Sequence, residues 1–133
     1  MAALDTNILV RFLIEDDAKQ LAAAKRLMRK CIASGELLHV PITVSLELEW
    51  VLRANFGFDK AAVVRTMSQL LSSVELSFES EGALESALIL YGRGPADFSD
   101  CLHVALAHAV GEQPLWTFDK AASKIAGTQL LRV

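Results

Sequence analysis

Five acidic residues stand where a parallel sheet would bring carboxylates together. They are Asp5 after the first apolar segment, Glu47 early in a helical segment, Asp97 and Asp100 at the start of a later one, and Asp119 after an apolar Leu-Trp-Thr-Phe run. In an open parallel sheet, ligands bind beyond the carboxyl ends of the strands. Gathered carboxylates repel one another unless a hard cation shares them, so the pattern predicts a Mg²⁺ or Mn²⁺ site.

An acidic metal pocket of this kind suits a polyanionic substrate. The ion polarises a phosphoryl oxygen, lowers the pKa of a bound water and steadies the leaving oxygen. Phosphodiester hydrolysis without a covalent enzyme intermediate is therefore the implied chemistry. Taken singly, several of these carboxylates have a structural explanation. Asp5 and Asp119 can cap helices. Asp97 and Asp100 have the spacing of a helix cap and the third helical residue.

Glu47 is harder to explain by helix capping. It lies among Val44, Leu46 and Leu48, which indicates a buried position where an unpaired charge would be costly. A salt bridge, for example with an arginine, is the structural alternative. Glu49 lies two positions further along and would face elsewhere on the same helix.

The composition is that of one folded domain. The chain has 133 residues, 53% of them hydrophobic, with 13 Lys plus Arg against 16 Asp plus Glu for a formal charge of −3. This balance excludes a disordered or collagen-like chain and predicts a single domain over residues 1–133. No segment reaches the roughly 20 apolar residues that span a bilayer, and no signal-peptide pattern opens the chain. We therefore expect a cytoplasmic protein without a membrane partner.

Strand-like and helix-like segments alternate along the chain. The predicted strands cover 2–4, 37–40, 74–78, 115–118 and 129–133; helices are predicted over 19–32, 44–53, 81–91 and 98–110, with further helices capped by Asp59 and Asp119. Alternation of this kind predicts an α/β domain with a mainly parallel sheet.

Other chemical signatures are weak. His39, His103 and His108 do not form a zinc pattern, and the Gly92-Arg93-Gly94 run lacks the third glycine of a dinucleotide fingerprint. The chain has neither a phosphate-binding P-loop nor a serine in a nucleophile elbow. Zinc, nucleotide cofactors and acyl transfer therefore lose support.

Four segments in order carry a resemblance to a known family. They are Leu4-Asp5-Thr6-Asn7, the Ser45 to Leu52 segment, Ala96-Asp97-Phe98-Ser99-Asp100 and Thr117-Phe118-Asp119. Together they resemble a PIN domain, and more narrowly the VapC-type ribonuclease toxins of bacterial toxin–antitoxin pairs. The resemblance covers essentially the whole chain.

The resemblance implies a three-layer α/β/α sandwich that cleaves RNA endonucleolytically with Mg²⁺ or Mn²⁺. It assigns the catalytic and metal-binding roles to Asp5, Glu47, Asp100 and Asp119, with Asp97 able to approach the same metal pocket. Asn7 and Thr117 would be polar supports that orient carboxylates or bound water. The resemblance also implies a homodimer, neutralised by a cognate antitoxin protein.

RNA contacts outside the pocket cannot be ranked from the sequence. Lys25, Arg26, Arg29 and Lys30 form a basic helix face, which solvation and the helix dipole explain without any ligand. Arg11, Arg53 and Arg93 are alternative RNA contacts.

Two rival functions belong to other classes of protein. A magnesium-dependent phosphohydrolase of small phosphate esters would also place an aspartate after the first strand. It would need a second aspartate two residues later, where this chain has Asn7. A non-catalytic module that binds RNA or protein would use its carboxylates only as helix caps.

Overall fold

Short strands and longer helices alternate along residues 2–133, the part of the chain that the computed structural model describes. In chain order the elements are β1 Ala2–Ala3, α1 Thr6–Leu13, α2 Ala18–Ala33, β2 Leu38–Val40, α3 Ile42–Phe56, α4 Lys60–Leu71, β3 Leu76–Phe78, α5 Glu81–Arg93, α6 Phe98–Ala109, β4 Leu115–Thr117, a 3₁₀ turn over Ala122–Lys124, and β5 Thr128–Leu130. The predicted α/β class is confirmed.

All strand pairings in the described residues are parallel, but they fall into two groups. Three strands pair in the order β1-β2-β3, with Leu38 of β2 opposite Ala2 and Leu76. The second group is β4 paired with β5, with Trp116 opposite Gln129. The sequence predicted one mainly parallel sheet. The predicted parallel strand direction is confirmed, but the strands pair in two groups. Each strand has only two or three residues.

The core lies between the central strand β2 and the helices. Leu38 and Val40 of β2 are fully buried, together with Leu9 of α1, Leu84 of α5 and Phe98 of α6. Full burial of a side chain of this size contributes about 1.5–3 kcal/mol to folding. The apolar periodicity of these helices, which predicted their positions, therefore also explains what holds them on the strands.

Aspartates begin several helices. Side-chain oxygens of Asp17 and Asp59 accept hydrogen bonds from the backbone N–H groups of Gln20 (3.0 Å) and Ala62 (2.8 Å). These bonds satisfy amides that have no partner within the helix. The sequence predicted the Asp59 cap, whereas α1 was not predicted as a helix because only its cap stood out.

Helix packing brings the acidic segments onto neighbouring elements. Helix α1 packs against α3, α3 against α6, and α6 against β4. Helices α1 and α6 begin directly after Asp5 and Asp97, α3 carries Glu47 in its first half, and β4 ends two residues before Asp119. None of the helices in residues 2–133 is long and apolar enough to cross a membrane.

Candidate active site

Asp5 lies between β1 and α1 and is exposed. Its Oδ1 accepts a hydrogen bond from the Ile8 N–H over 3.2 Å, so the aspartate does cap α1. The same side chain lines a cavity of about 410 Å³, which Asn7 and Arg11 also line. Capping occupies one carboxylate oxygen, and the side chain still faces an open cavity.

Asp97 and Asp100 lie at the start of α6. Asp97 occupies the cap position, yet its side chain makes no capping hydrogen bond within the described chain. The alternative that the Asp97 side chain serves as a helix cap is therefore wrong. Asp100 follows in the first turn, where a helix favours negative charge through its dipole.

Burial and two neighbouring carboxylates act on Asp100. Its pKa is raised above the ordinary value of 3.8, first by burial and then by the charges of Asp119 and Asp97, with His103 opposing the shift. Carboxylates at the start of α6 and in the segment after β4 therefore both disfavour the charged form of Asp100.

Thr117 and Asp119 form a local hydrogen-bonded unit after β4. The backbone N–H of Asp119 donates to Thr117 Oγ1 over 3.0 Å. Asp119 Oδ1 in turn accepts from the Ala122 N–H over 3.0 Å. Thr117 therefore holds the backbone from which the Asp119 carboxylate projects.

Glu47 is exposed on α3, contrary to the burial that its apolar neighbours suggested. The buried carboxylate on this helix belongs to Glu49, which is 4% exposed. The predicted salt bridge to an arginine also belongs to Glu49: Arg53 Nε donates to Glu49 Oε2 over 2.8 Å. Residues 45, 48, 49 and 52 form the buried face of α3, and residue 47 lies on the opposite side.

Tyr91 completes a buried network around Glu49. Its hydroxyl donates to Glu49 Oε2 over 3.0 Å, which joins α5 to α3. Burial, and then the Glu49 charge, raise the pKa of Tyr91 to about 12. The Glu49 carboxylate likewise raises the pKa of Arg53, through their hydrogen bond and their attraction. Asp97 contributes to both shifts, so the network lies beside the acidic end of α6.

Lys60 approaches the same network from α4. Its ammonium donates to the Gly94 carbonyl over 2.8 Å and lies 4.8 Å from the centre of the Tyr91 ring. Sequence reasoning missed this network. The i,i+4 spacing of Glu49 and Arg53 in the sequence would have predicted their salt bridge. Tyr91 and Lys60 reach it only because α4 packs against both α3 and α5.

The predicted acidic residues are only partly gathered. Asp97 and Asp119 both act on the charge of Asp100. Glu47 lines a cavity of about 430 Å³ with Ser99 of α6, and Asp5 lines a different cavity beside α2. Across residues 2–133, no three His, Cys, Asp or Glu side chains are close enough together to hold a metal ion. The donor chemistry nevertheless suits a hard divalent cation, because it consists of carboxylates whose repulsion such an ion would relieve.

The fold and the positions of the acids define a recognisable class of protein. It is a parallel α/β sandwich with acidic residues after β1, on α3, at the start of α6 and after β4. The family model of the PIN domain matches residues 2–128, and the chain belongs to the PIN domain family. It is similar to a protein from Aquifex aeolicus (strain VF5) named VapC ribonuclease. The two are 24% identical over 125 residues, which cover 94% of this chain and 92% of the relative. No solved structure matches the chain significantly.

Proposed function

We propose that this protein is a divalent-metal-dependent endoribonuclease and the toxin of a toxin–antitoxin pair. Membership of the PIN domain family and similarity to a protein named VapC ribonuclease support the nuclease class. The observation that carries the proposal is that Asp97 and Asp119, from two separate parts of the fold, both act on the partly buried charge of Asp100. A carboxyl group whose pKa is raised by burial and by neighbouring acids is typical of a functional site.

Asp5, Glu47, Asp100 and Asp119 would hold Mg²⁺ or Mn²⁺, with Asp97 as a further ligand. When bound, the ion supplies Lewis acidity toward the phosphodiester and a more acidic water. The chain itself orients the ligands: the Ile8 N–H fixes Asp5, and the Ala122 N–H fixes Asp119. Thr117 holds the backbone of Asp119, and we assign Asn7 a supporting role in the Asp5 cavity.

RNA, a cognate antitoxin and a second copy of the chain are the proposed partners, in the cytoplasm. Exposed aromatic side chains support protein interfaces: Trp50 is 52% exposed, Trp116 59% and Phe118 67%. Trp116 and Phe118 are two positions apart at the end of β4, so they expose neighbouring apolar surface of the kind that a protein partner covers.

A non-catalytic binding module is the second candidate, and one observation favours it. Asp5 and Asp119 do cap helical turns, as that hypothesis requires. Manganese titration separates the two candidates, because residues that serve only as caps would not bind the ion at a shared, saturable site.

The test is cleavage of a mixed set of end-labelled RNAs by the purified protein with Mn²⁺ or Mg²⁺, beside a chelator control. Asp5→Asn removes a ligand charge but keeps a side chain that caps α1 equally well, so we expect a folded, inactive variant. Asp59→Asn is the matched control, since Asp59 caps α4 in the same way. Cleavage by folded Asp5→Asn at the wild-type rate would refute the assignment.

A further inference from the structure

Arg53 is a half-exposed cation whose position is held by a buried acid. Its side chain is 49% exposed, while the Glu49 side chain that binds it is 5% exposed. Nε lies 2.8 Å from Glu49 Oε2, but Nη2 lies 3.5 Å from Oε1. One edge of the Arg53 guanidinium therefore binds Glu49, and the N–H donors on its other edge point away from the Glu49 carboxylate.

The Glu49 carboxylate is itself immobilised. It accepts a hydrogen bond from the 4% exposed Tyr91 of α5 and another from Arg53, one turn further along α3. A long arginine side chain ordinarily loses rotamer freedom when it binds a ligand. Since Glu49 and Tyr91 already restrict Arg53, that cost is reduced in advance.

Arg53 also lies among the acids of the candidate active site. It lines the cavity of about 430 Å³ that Glu47, Trp50 and Ser99 line as well. Ser99 lies between Asp97 and Asp100 in the α6 segment. A polyanion that approached these carboxylates would meet repulsion, and Arg53 supplies a positive charge on the approach.

We propose that Arg53 binds a backbone phosphate of the RNA next to the cleavage site, with Glu49 and Tyr91 as the residues that position it. The inference rests on the proposed function. A planar guanidinium presents paired donors that match two phosphate oxygens, which a lysine ammonium does not. The chemistry recognised is a phosphodiester of a single strand, beside a cavity whose wall includes the half-exposed Trp50.

The structure favours Arg53 over the two other arginines that the sequence left open. Arg11 lines the Asp5 cavity but is bound to the Asp16 carboxylate. Arg93 lines a separate cavity with Lys124 and Ile125. Arg53 alone among these three lines a cavity with residues of both α3 and α6.

The experiment measures binding of a fluorescently labelled, mixed-sequence single-stranded RNA to the whole protein, in chelator, over a series of salt concentrations. Variants are Arg53→Gln, Arg53→Lys and, as a matched control, Arg65→Gln, an exposed arginine on α4. One lost phosphate contact lowers the slope of log K against log salt by about 0.7. We expect that change, and a roughly tenfold weaker affinity, for Arg53→Gln only. Arg53→Lys should keep the slope and lose part of the affinity.

The experiment distinguishes a failure of the Arg53 contact from a failure of the proposed ribonuclease function. An unchanged slope for Arg53→Gln, or equal losses for Arg53→Gln and Arg65→Gln, overturns the Arg53 contact while leaving ribonuclease activity intact. A wild-type protein that neither binds nor cleaves RNA overturns the proposed function and the contact together. Cleavage of labelled RNA by the same protein preparations, with Mn²⁺ added, distinguishes these two cases.

Discussion

The hydroxyl of Tyr91 donates a hydrogen bond to Oε2 of Glu49 over 3.0 Å, and both residues are almost fully buried. They are 42 positions apart in the chain. The contact joins α5 to α3 directly beside the acidic start of α6. The Glu49 charge would be costly to bury alone, and it is satisfied by the neutral Tyr91 hydroxyl and the Arg53 cation.

Replacing Tyr91 with Phe removes only the hydroxyl from this contact. Glu49 loses one of its two partners, and a buried acceptor left without its donor costs about 1–3 kcal/mol. We expect the free energy of unfolding in urea to fall by that amount. In a Glu49→Gln background the same substitution should cost much less, since the charge is gone. Equal costs in both backgrounds would contradict the role given to the hydrogen bond.

Tyr91 is the one tyrosine in the sequence, so tyrosinate absorbance reports it without overlap from another residue. Its pKa is raised to about 12, above the ordinary value of 10.0. The folded state holds the proton more tightly than the unfolded state does, so stability falls as pH rises between these two values. We expect the folded protein to stay un-ionised at about pH 11 and the urea-unfolded chain to titrate near pH 10. Coincident titration curves would refute this.

Asp100 should reduce stability at neutral pH when no divalent ion is present. Its pKa is raised by burial, Asp119 and Asp97, so the folded state binds the Asp100 proton more tightly than the unfolded state. Stability from this group is therefore present at low pH and lost as pH rises through the carboxyl range. We expect Asp100→Asn to raise the urea midpoint in chelator at pH 7, with no gain at about pH 3.

Asp59→Asn is the control for that measurement, because Asp59 is an exposed helix cap. A gain of equal size in both variants would show a general charge effect instead of crowding at Asp100.

Thr117→Val should lower cleavage without unfolding the protein. Valine keeps the shape of threonine but has no oxygen to accept the Asp119 N–H bond, so the Asp119 carboxylate loses its fixed backbone. Loss of such a supporting contact typically costs about 10–100-fold in activity or metal affinity. Thr117→Ser should retain most activity. Wild-type kcat/KM for Thr117→Val would show that the contact is dispensable.

Two glycines should respond to alanine in opposite directions. Gly57 ends α3 with φ 69°, and a Cβ there would meet no described atom within 4 Å. Because alanine is strained in this left-handed backbone conformation, Gly57→Ala should lower the free energy of unfolding by about 1 kcal/mol. Gly82 lies in the first turn of α5, again with open space around the added Cβ. Gly82→Ala should stabilise the fold by about 0.4–1 kcal/mol, and thermal unfolding of both variants checks the two signs.

Several features of this protein follow from the sequence alone. The α/β class and the positions of α2, α4, α5 and α6 were predicted because apolar periodicity and aspartate caps act over a few residues. The family was recognised from four short acidic segments in order, and the match over residues 2–128 confirms it.

Tertiary packing decided which carboxylates meet. On α3, local composition indicated that Glu47 would be buried, but the side of the helix that packs against α1, α4 and α6 carries Glu49. Asp97 has the spacing of a helix cap and does not act as one. Asp119 acts on Asp100 because α6 packs against β4. Sequence spacing determines each local element, whereas charge interactions and burial depend on through-space distances that only the folded chain sets.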